Sequence, residues 1–230
     1  MSDTPPLPNF LLSGGRVIDP DSGTDGLADV RVRNGQIAEV GPGRDPAPDE
    51  TVLDVSGSIV TPGLIDMHAH VAHTHRRSTL SLHPLVNTFS SGVTTVVDAG
   101  TVGWRDFLDF KLEVIDRAPI RVLAYVNIVG SGMGGDWEHD VREMQPKAAA
   151  AIAEVFSDVV VGIKTAHYWA KLPFDAEHPP WAAVDAAVEA GEHCGMPVMV
   201  DFYPWLPERP YPQLILEKLR PGDIHTHVFA

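Results

Sequence analysis

From residue 61 onward the chain repeats one pattern: a short apolar strand, a loop and an amphipathic helix. We predict six strands, at residues 63–68, 94–100, 121–130, 158–166, 197–203 and 222–229. Strands that are apolar throughout and alternate with helices are typical of parallel sheets covered by helices on both faces. The pattern therefore predicts an α/β fold, and by itself it allows both a doubly wound sheet and a TIM-type (β/α)8 barrel.

The segments between the strands have helical character. We predict helices within residues 83–92, 104–118, 138–157, 181–195 and 211–220. Pro146 falls near the middle of the third segment, where a proline removes a backbone donor and clashes with the preceding turn. We therefore expect Pro146 to break this helix.

Polar residues at the strand ends help to separate the two folds. In a (β/α)8 barrel the functional groups gather at the carboxyl ends of the strands. Here the strand ends carry His68, His70, Asp98, Asn127, Lys164, Asp201 and His227. A dinucleotide-binding doubly wound fold would carry a glycine-rich fingerprint after its first strand, and none follows here. The sequence favours the barrel.

Six strands are two fewer than a closed (β/α)8 barrel contains, and the sequence stops one residue after the sixth. We therefore expect a barrel that is incomplete at its C-terminus, either because the chain is a fragment or because a partner completes it. A homo-oligomer is a separate expectation. An open barrel exposes sheet edges that invite pairing or aggregation. A truncated, inactive fragment or subunit is the non-enzymatic alternative.

Residues 1–60 form a different kind of module. The segments "FLLSGGRVID", "ADVRVRNGQIAEVG" and "TVLDVSGSIV" alternate apolar and polar side chains between turn residues, as half-buried strands do. Asn34-Gly35 predicts a hairpin with a type I′ turn. We therefore divide the chain into a small β module at residues 1–60 and a barrel domain at 61–230.

Composition limits the partners that this chain could bind. The formal net charge is −14, which argues against nucleic acids and anionic membranes and favours a small-molecule substrate. The N-terminus has acidic and proline residues where a signal peptide has a basic region, and no apolar run is long enough for a membrane helix. The single cysteine, Cys194, cannot form an internal disulfide. We expect a cytoplasmic protein.

The candidate metal ligands are histidines with a spacing of two. His68 and His70 point to the same side of a strand, which suits two imidazole ligands of one metal. The structural alternative is a hydrogen-bonded pair, or a surface cluster extended by His73 and His75. His225 and His227 repeat the spacing; we predict His227 as the ligand and His225 as a packing or supporting residue.

Lys164 ends the apolar run "VVVGIK". Burial of an ammonium group lowers its pKa, so the amine can be neutral and reactive. Two catalytic roles follow for Lys164. The amine can form a Schiff base with a carbonyl substrate, as in a lyase, or it can take up carbon dioxide to become a carbamate that bridges two cations. The histidines favour the second role.

Five segments carry a family resemblance: "GGRVIDP", "GSIVTPGLIDMHAH", "SGVTTVVDAG", "VVGIK" and "LRPGDIHTH". Together they resemble the amidohydrolase superfamily, close to its dihydroorotase-like, N-acyl amino-acid deacetylase branch. The resemblance implies a (β/α)8 barrel with a β-sandwich built partly from the N-terminal residues. It also implies two divalent metal ions at the barrel mouth, zinc being favoured and manganese the alternative.

The resemblance also implies roles for individual residues. His68 and His70 would hold one metal, N-carboxylated Lys164 would bridge both, and His227 would bind the second. The family usually has a metal-binding histidine where this sequence has Asp201, whose carboxylate can still bind zinc or manganese. The family's strand-eight aspartate has no counterpart before the sequence ends. The implied activity is cleavage of a C–N amide bond, in an N-acyl amino acid or a cyclic amide, by hydroxide that the two metals activate.

An N-acyl amino acid carries a carboxylate, which calls for a cation near the barrel mouth. Arg76, Arg77 and Arg209 lie in loops after the first and fifth predicted strands, and Tyr168 follows the reactive lysine closely. We predict Arg209 and Tyr168 as substrate-binding residues. Solvated arginines and packed aromatic rings are the structural alternatives. Asp98 is expected to support the site from outside the ligand set.

Overall fold

The computed structural model describes residues 7–73, 81–166, 173–201 and 206–228. The chain divides into two compact units, Met1–Leu64 and Ile65–Ala230. Each unit is built around its own sheet.

The first unit is a five-stranded sheet. Its strands are β1 (Asn9–Asp19), β2 (Thr24–Arg33), β3 (Gln36–Gly41), β4 (Glu50–Asp54) and β5 (Ile59–Val60). The order is β3-β2-β1-β4, with β5 also beside β1. β2 is antiparallel to both of its neighbours, whereas β4 and β5 run parallel to β1. Val17, Ala28 and Val30 form the buried apolar cluster of this unit.

The predicted hairpin is confirmed between β2 and β3. Arg33 pairs with Gln36, which leaves Asn34 and Gly35 as the two-residue loop. Their φ angles are 50° and 74°. Two positive φ values match the right-handed twist of the flanking strands, as in a type I′ turn.

The second unit contains a six-stranded sheet. Its strands are β6 (Leu64–Ala69), β7 (Val93–Asp98), β8 (Arg121–Asn127), β9 (Val160–Thr165), β10 (Val198–Asp201) and β11 (Ile224–Thr226). They lie side by side in chain order, and the pairings from β7 to β11 are parallel. Each strand falls on a predicted segment, so the expectation of a parallel α/β sheet is confirmed.

Helices and helical turns separate the strands of this sheet. The α-helices are α1 (Pro84–Thr88), α2 (Phe107–Glu113), α3 (Pro146–Val155), α4 (Ala182–Cys194) and α5 (Tyr211–Gln213). A π-helical turn, Leu214–Lys218, follows α5, and 3₁₀ turns follow α1 and α2. Cys194 ends α4, and its thiol donates to the carbonyl of Ala190.

The expectation for Pro146 is wrong. Pro146 begins α3 instead of breaking a longer helix, and the preceding residues form two 3₁₀ turns, Asp136–His139 and Val141–Glu143. A proline suits the first helical position, because its fixed φ is already helical and the N–H that it lacks would have no partner in the helix.

The two faces of the second sheet carry different side chains. One face packs against the helices in the large apolar cluster, which includes Val122, Val126 and Phe107. The other face carries a small cluster of Val97, Ala99, Tyr125 and Met199. This alternation follows the period of two along each strand.

The sheet is strongly curled. β6 and β11 are its two edges, and five strand spacings would separate them by about 24 Å if the sheet were flat. Yet the Nδ1 atom of His68, on β6, lies 2.7 Å from Oγ1 of Thr226, on β11. The curvature therefore brings the carboxyl ends of the first and sixth strands into contact, as in part of a barrel wall.

Within the described ranges, no helix combines the length and the apolar character that a membrane span requires.

Phe107 offers a test of the packing between helix and sheet. It is 0% exposed, and its ring centre lies 5.9 Å from that of Phe110 and 5.4 Å from that of Phe156. We expect Phe107→Ala to lower the free energy of unfolding by about 3–5 kcal/mol, because the substitution leaves a cavity among packed rings. Urea denaturation measures the change.

Leu108→Ala is the matched control, since Leu108 is the next residue on the same helix and is 52% exposed. It should change the free energy of unfolding by less than about 0.5 kcal/mol. Equal losses in the two variants would contradict the packing described here.

Candidate functional site

Lys164 lies at the centre of the curled sheet. It is 1% exposed, and on β9 it pairs with Asn127 of β8 and Met199 of β10. Burial lowers the pKa of Lys164, and the carboxylates of Asp201 and Asp98 oppose this effect. The neutral amine, which is the reactive form, is therefore a larger fraction of Lys164 at a given pH than it is for a solvated lysine.

The space for the lysine stem depends on Gly100. This glycine has a φ of +76°, and a Cβ atom there would overlap Cβ and Cγ of Lys164. The Nδ2 atom of Asn127 donates to the Gly100 carbonyl at 2.8 Å, and Oδ1 of Asn127 accepts from the Val129 N–H at 2.9 Å. Asn127 is thus occupied in holding the loop that lies against Lys164.

His68 and His70 point to the same side, as their spacing predicts. Their ring centres are 5.6 Å apart and their planes are nearly perpendicular. Burial, and then the positive charge of Lys164, lowers the pKa of each from 6.5 to about 4. Both imidazoles are therefore neutral at pH 7 and carry a lone pair that can bind a metal.

One nitrogen of each ring is engaged by a threonine. The Nδ1 atom of His68 lies 2.7 Å from Oγ1 of Thr226, and Nδ1 of His70 lies 2.8 Å from Oγ1 of Thr101. These contacts occupy the Nδ1 atoms. The Nε2 atom is therefore the one that each ring could present to a metal.

Asp201 and His227 join the same region from β10 and from the residue after β11. The Oδ1 atom of Asp201 lies 3.1 Å from Nδ1 of His227. The ring of His227 stacks on that of His68, with 5.2 Å between centres and 7° between planes. His227 also has a φ of 60°, an uncommon conformation for a residue other than glycine.

The number and type of donor side chains can be compared with those that two metal ions require. In residues 7–73, 81–166, 173–201 and 206–228, no three His, Cys, Asp or Glu side chains are arranged to hold a metal ion. The side chains provide two candidate pairs of donors, His68 with His70 and Asp201 with His227, and the pairs meet where His227 stacks on His68. Imidazole and carboxylate donors suit zinc or manganese. The set fits two such ions if a carboxylated Lys164 adds an oxygen donor to each pair.

Of the residues considered for substrate binding, the structure describes only Arg209. Arg209 is 3% exposed, so the alternative of a solvated arginine is wrong. Its guanidinium carbon lies 5.9 Å from the centre of the Phe174 ring. Tyr168, Arg76 and Arg77 lie outside the described residues.

His225 lies close enough to Asp201 and His227 for their charges to act on it, but its ring contacts Tyr211. Its Nδ1 atom is 3.2 Å from the Tyr211 hydroxyl, and the two ring centres are 5.1 Å apart. This contact fits the expected packing or supporting role of His225.

Comparison with known protein families shows to which family this chain belongs. Residues 59–202, more than half of the chain, match the Amidohydrolase family. The chain belongs to the amidohydrolase family. The family resemblance of the sequence motifs is thereby confirmed.

Named relatives within the family include deacetylases and dihydroorotases. A deacetylase of Agrobacterium fabrum is 28% identical over 205 residues, which are 85% of this chain and 47% of the relative. A dihydroorotase of Geobacter metallireducens is 55% identical over 64 residues, which are 27% of this chain and 15% of the relative. The chain thus spans about half the length of the deacetylase.

Solved structures agree on the fold. A dihydroorotase has a TM-score of 0.74 at 22% identity, covering 95% of this chain and 57% of its own. An adenine deaminase has a TM-score of 0.76 at 23% identity, covering 95% and 56%. At these identities the likeness concerns the fold alone, which is the barrel-like fold of amidohydrolases.

Sequence reasoning missed Thr101, Thr226 and Gly100. Thr101 follows Asp98 at the spacing of an aspartate-initiated turn, in which a carboxylate accepts from a backbone N–H a few residues later. That signal could have drawn attention to Thr101. The sequence carries no comparable signal for Thr226, because its partner His68 lies 158 residues away.

Gly100→Ala tests how much the lysine site depends on the space at this glycine. The new methyl group would both strain the backbone and collide with Lys164, so we expect a larger loss than strain alone causes. Gly195→Ala is the matched control, since Gly195 has a φ of +66° with open space around its Cβ position. The control should lose about 1–2 kcal/mol of unfolding free energy.

We expect Gly100→Ala to lose about 1–3 kcal/mol more than the control, as overpacked sites do. Denaturant unfolding of both variants measures the difference. Equal losses would show that Lys164 does not pack against Gly100.

The two histidines predict a dependence of stability on pH. Their pKa values are about 4 in the folded chain and 6.5 without the fold's influence. Between these values the unfolded chain binds more protons, so the free energy of unfolding should fall as the pH is lowered from 6.5 to about 4. Below that range the two rings should add no further change.

Urea denaturation of the metal-free chain at several pH values measures this slope. His68→Gln and His70→Gln should each flatten it, whereas His193→Gln, at an exposed position, should not. An unchanged slope in the combined His68 and His70 variant would contradict the lowered pKa values.

Proposed function

We propose that this chain provides the metal-binding side chains of an amidohydrolase that cleaves C–N amide bonds. One observation carries the proposal: His68, His70, Asp201 and His227 gather from the ends of three strands near the buried Lys164. Family membership supports the class of reaction.

The proposed ligand roles follow from the two pairs. His68 and His70 would hold one divalent ion, while Asp201 and His227 would hold the other. Carboxylation of Lys164 would add an anionic oxygen ligand: the Nζ lone pair bonds to the carbon of carbon dioxide, one C=O π bond opens onto its oxygen, and the nitrogen releases a proton to solvent. The resulting carbamate would provide carboxylate-type oxygen donors for the two ions.

Bound divalent metals would make a water molecule nucleophilic at neutral pH and polarise the scissile carbonyl. The protein residues prepare the site for this chemistry. His68 and His70 stay neutral because their pKa values are lowered to about 4, so protons do not compete for their lone pairs at pH 7. The carboxylate of Asp201 and the carbamate would each contribute a negative charge that offsets the charge of the cations.

For the substrate we favour an N-acyl amino acid, with a cyclic amide as the alternative. The deacetylase relative aligns with 85% of the chain, whereas the dihydroorotase relative aligns with 27%. A guanidinium group binds a carboxylate through two parallel hydrogen bonds. Arg209, and Tyr168 four residues after Lys164 in the sequence, are the residues that we propose for the amino-acid part of the substrate.

A Schiff-base lyase is the rival use of Lys164, because the same buried amine could attack a carbonyl substrate. That reaction gives no role to the four candidate metal ligands. Borohydride trapping with a carbonyl substrate distinguishes the two chemistries: labelling of Lys164 would support the lyase and contradict the metal site.

The first experiment is a measurement of metal content. We expect about two transition-metal ions per chain, by elemental analysis of the monodisperse fraction after expression with bicarbonate. Lys164→Met should lose most of the metal, and a carbamate signal in ¹³C NMR after labelling with ¹³C-bicarbonate should disappear with it. Lys147→Met, at an exposed position on α3, is the matched control and should retain both.

Activity is then compared on N-acetyl amino acids and on cyclic amides. Lys164→Met should abolish most of the turnover, while Asp201→His should be tolerated because histidine also binds these metals. A folded wild-type chain without metal, or full turnover by Lys164→Met, would refute the proposed function.

A further inference from the structure

Asp98 is a buried carboxylate that the proposed ligand set does not use. It is 0% exposed at the end of β7. Its Oδ1 accepts from the Thr101 N–H at 2.7 Å, and its Oδ2 accepts from the Val71 N–H and from the Thr101 hydroxyl, both at 2.8 Å. Asp98 therefore joins the loop after β7 to the segment after β6.

The hydrogen of the Thr101 hydroxyl has a defined direction. Two backbone N–H groups, which can only donate, already point at the two oxygens of Asp98, so the contacts favour its carboxylate form, and the Thr101 hydroxyl donates to Oδ2. The same hydroxyl oxygen lies 2.8 Å from Nδ1 of His70. Because its single hydrogen is already committed, the hydroxyl can only accept from the imidazole.

This constraint selects one form of His70. A neutral imidazole has one protonated nitrogen and one with a lone pair. If Nδ1 carries the hydrogen that Thr101 accepts, the lone pair is on Nε2, and the direction of the hydrogen bond also limits rotation of the ring. Histidine ligands of metals are commonly oriented in this way through their second nitrogen.

We propose that Thr101, aligned by Asp98, is a positioning residue that fixes His70 in the Nδ1–H form and directs its Nε2 lone pair towards a metal. That the Nε2 lone pair binds a metal ion rests on the proposed function. The hydrogen-bonded relay itself does not, since it exists in the chain without any metal.

The second histidine of the pair provides a contrast. Thr226 contacts Nδ1 of His68 at 2.7 Å, but among the described residues its hydroxyl has no carboxylate partner of its own. The hydrogen of Thr226 is therefore not directed, and His68 can exchange between its two neutral forms. The relay thus orders one of the two histidines more strongly than the other.

The relay is tested first in the metal-free chain. ¹⁵N NMR of histidine-labelled protein at neutral pH distinguishes the Nδ1–H and Nε2–H forms, and the His70 signals are identified by their loss in His70→Gln. We expect the Nδ1–H form in the wild type and in Thr101→Ser, which keeps a hydroxyl. Thr101→Val should shift His70 to a mixture of forms.

The matched control is Thr95→Val, on the same strand three residues before Asp98. It should leave the His70 signals unchanged. Observation of the Nε2–H form in the wild type would overturn the proposal, as would an unaltered form in folded Thr101→Val. The wild-type and serine spectra decide the question even if the valine variant does not fold.

The consequence for the site is tested by zinc affinity, measured in competition with a chromophoric chelator. We expect Thr101→Val to bind zinc about 10–100-fold more weakly than the wild type, as is typical when a residue that orients a metal ligand is removed. Thr101→Ser and Thr95→Val should bind as the wild type does.

The two proposals fail in different ways. A wild-type chain that binds no zinc refutes the proposed function, while the NMR result still decides the relay. Zinc binding that is equal in the wild type and Thr101→Val refutes the positioning role and leaves the proposed function standing.

Discussion

The burial of Lys164 is the constraint on which the rest of the site depends. An ammonium group is costly in an apolar sheet unless it loses its charge or finds opposite charges. Asp201 and Asp98 provide negative charge that acts on this lysine. Gly100 has no side chain, and this leaves space for the lysine stem. These features have no evident purpose if Lys164 is only a structural residue, because an apolar side chain would fill the same position at less cost.

The curl of the parallel sheet turns this buried lysine into a site. Parallel strands end at the same edge, so the residues that follow them are neighbours. Curvature adds what a flat sheet could not, because it brings His68 on the first strand against Thr226 and His227 near the end of the sixth. Four potential ligands thereby come together although they lie on three non-adjacent parts of the chain.

Asp98 connects the site to the stability of the sheet. Its carboxylate receives two backbone N–H groups, from Val71 and Thr101, that begin the loops after β6 and β7. Buried backbone donors without partners are costly, so Asp98 stabilises both loops. Burial raises the pKa of Asp98, while these hydrogen bonds act in the opposite direction. The same group that holds the loops thus also determines where the Thr101 hydroxyl points.

The sequence by itself determined the local features: the six strands, the Asn34-Gly35 hairpin, and the shared side of His68 and His70. Each follows from a period of two or from a turn whose residues are adjacent in the chain. The start of α3 at Pro146 was not predicted, because proline allows either a break or a helix start and the surrounding fold selects one. Only the tertiary structure decided the burial of Arg209, the space at Gly100 and the partners of the two histidines. His70 and Thr101 are 31 residues apart, and His68 and Thr226 are 158 apart. Such contacts depend on the curvature of the whole sheet, which no local pattern encodes.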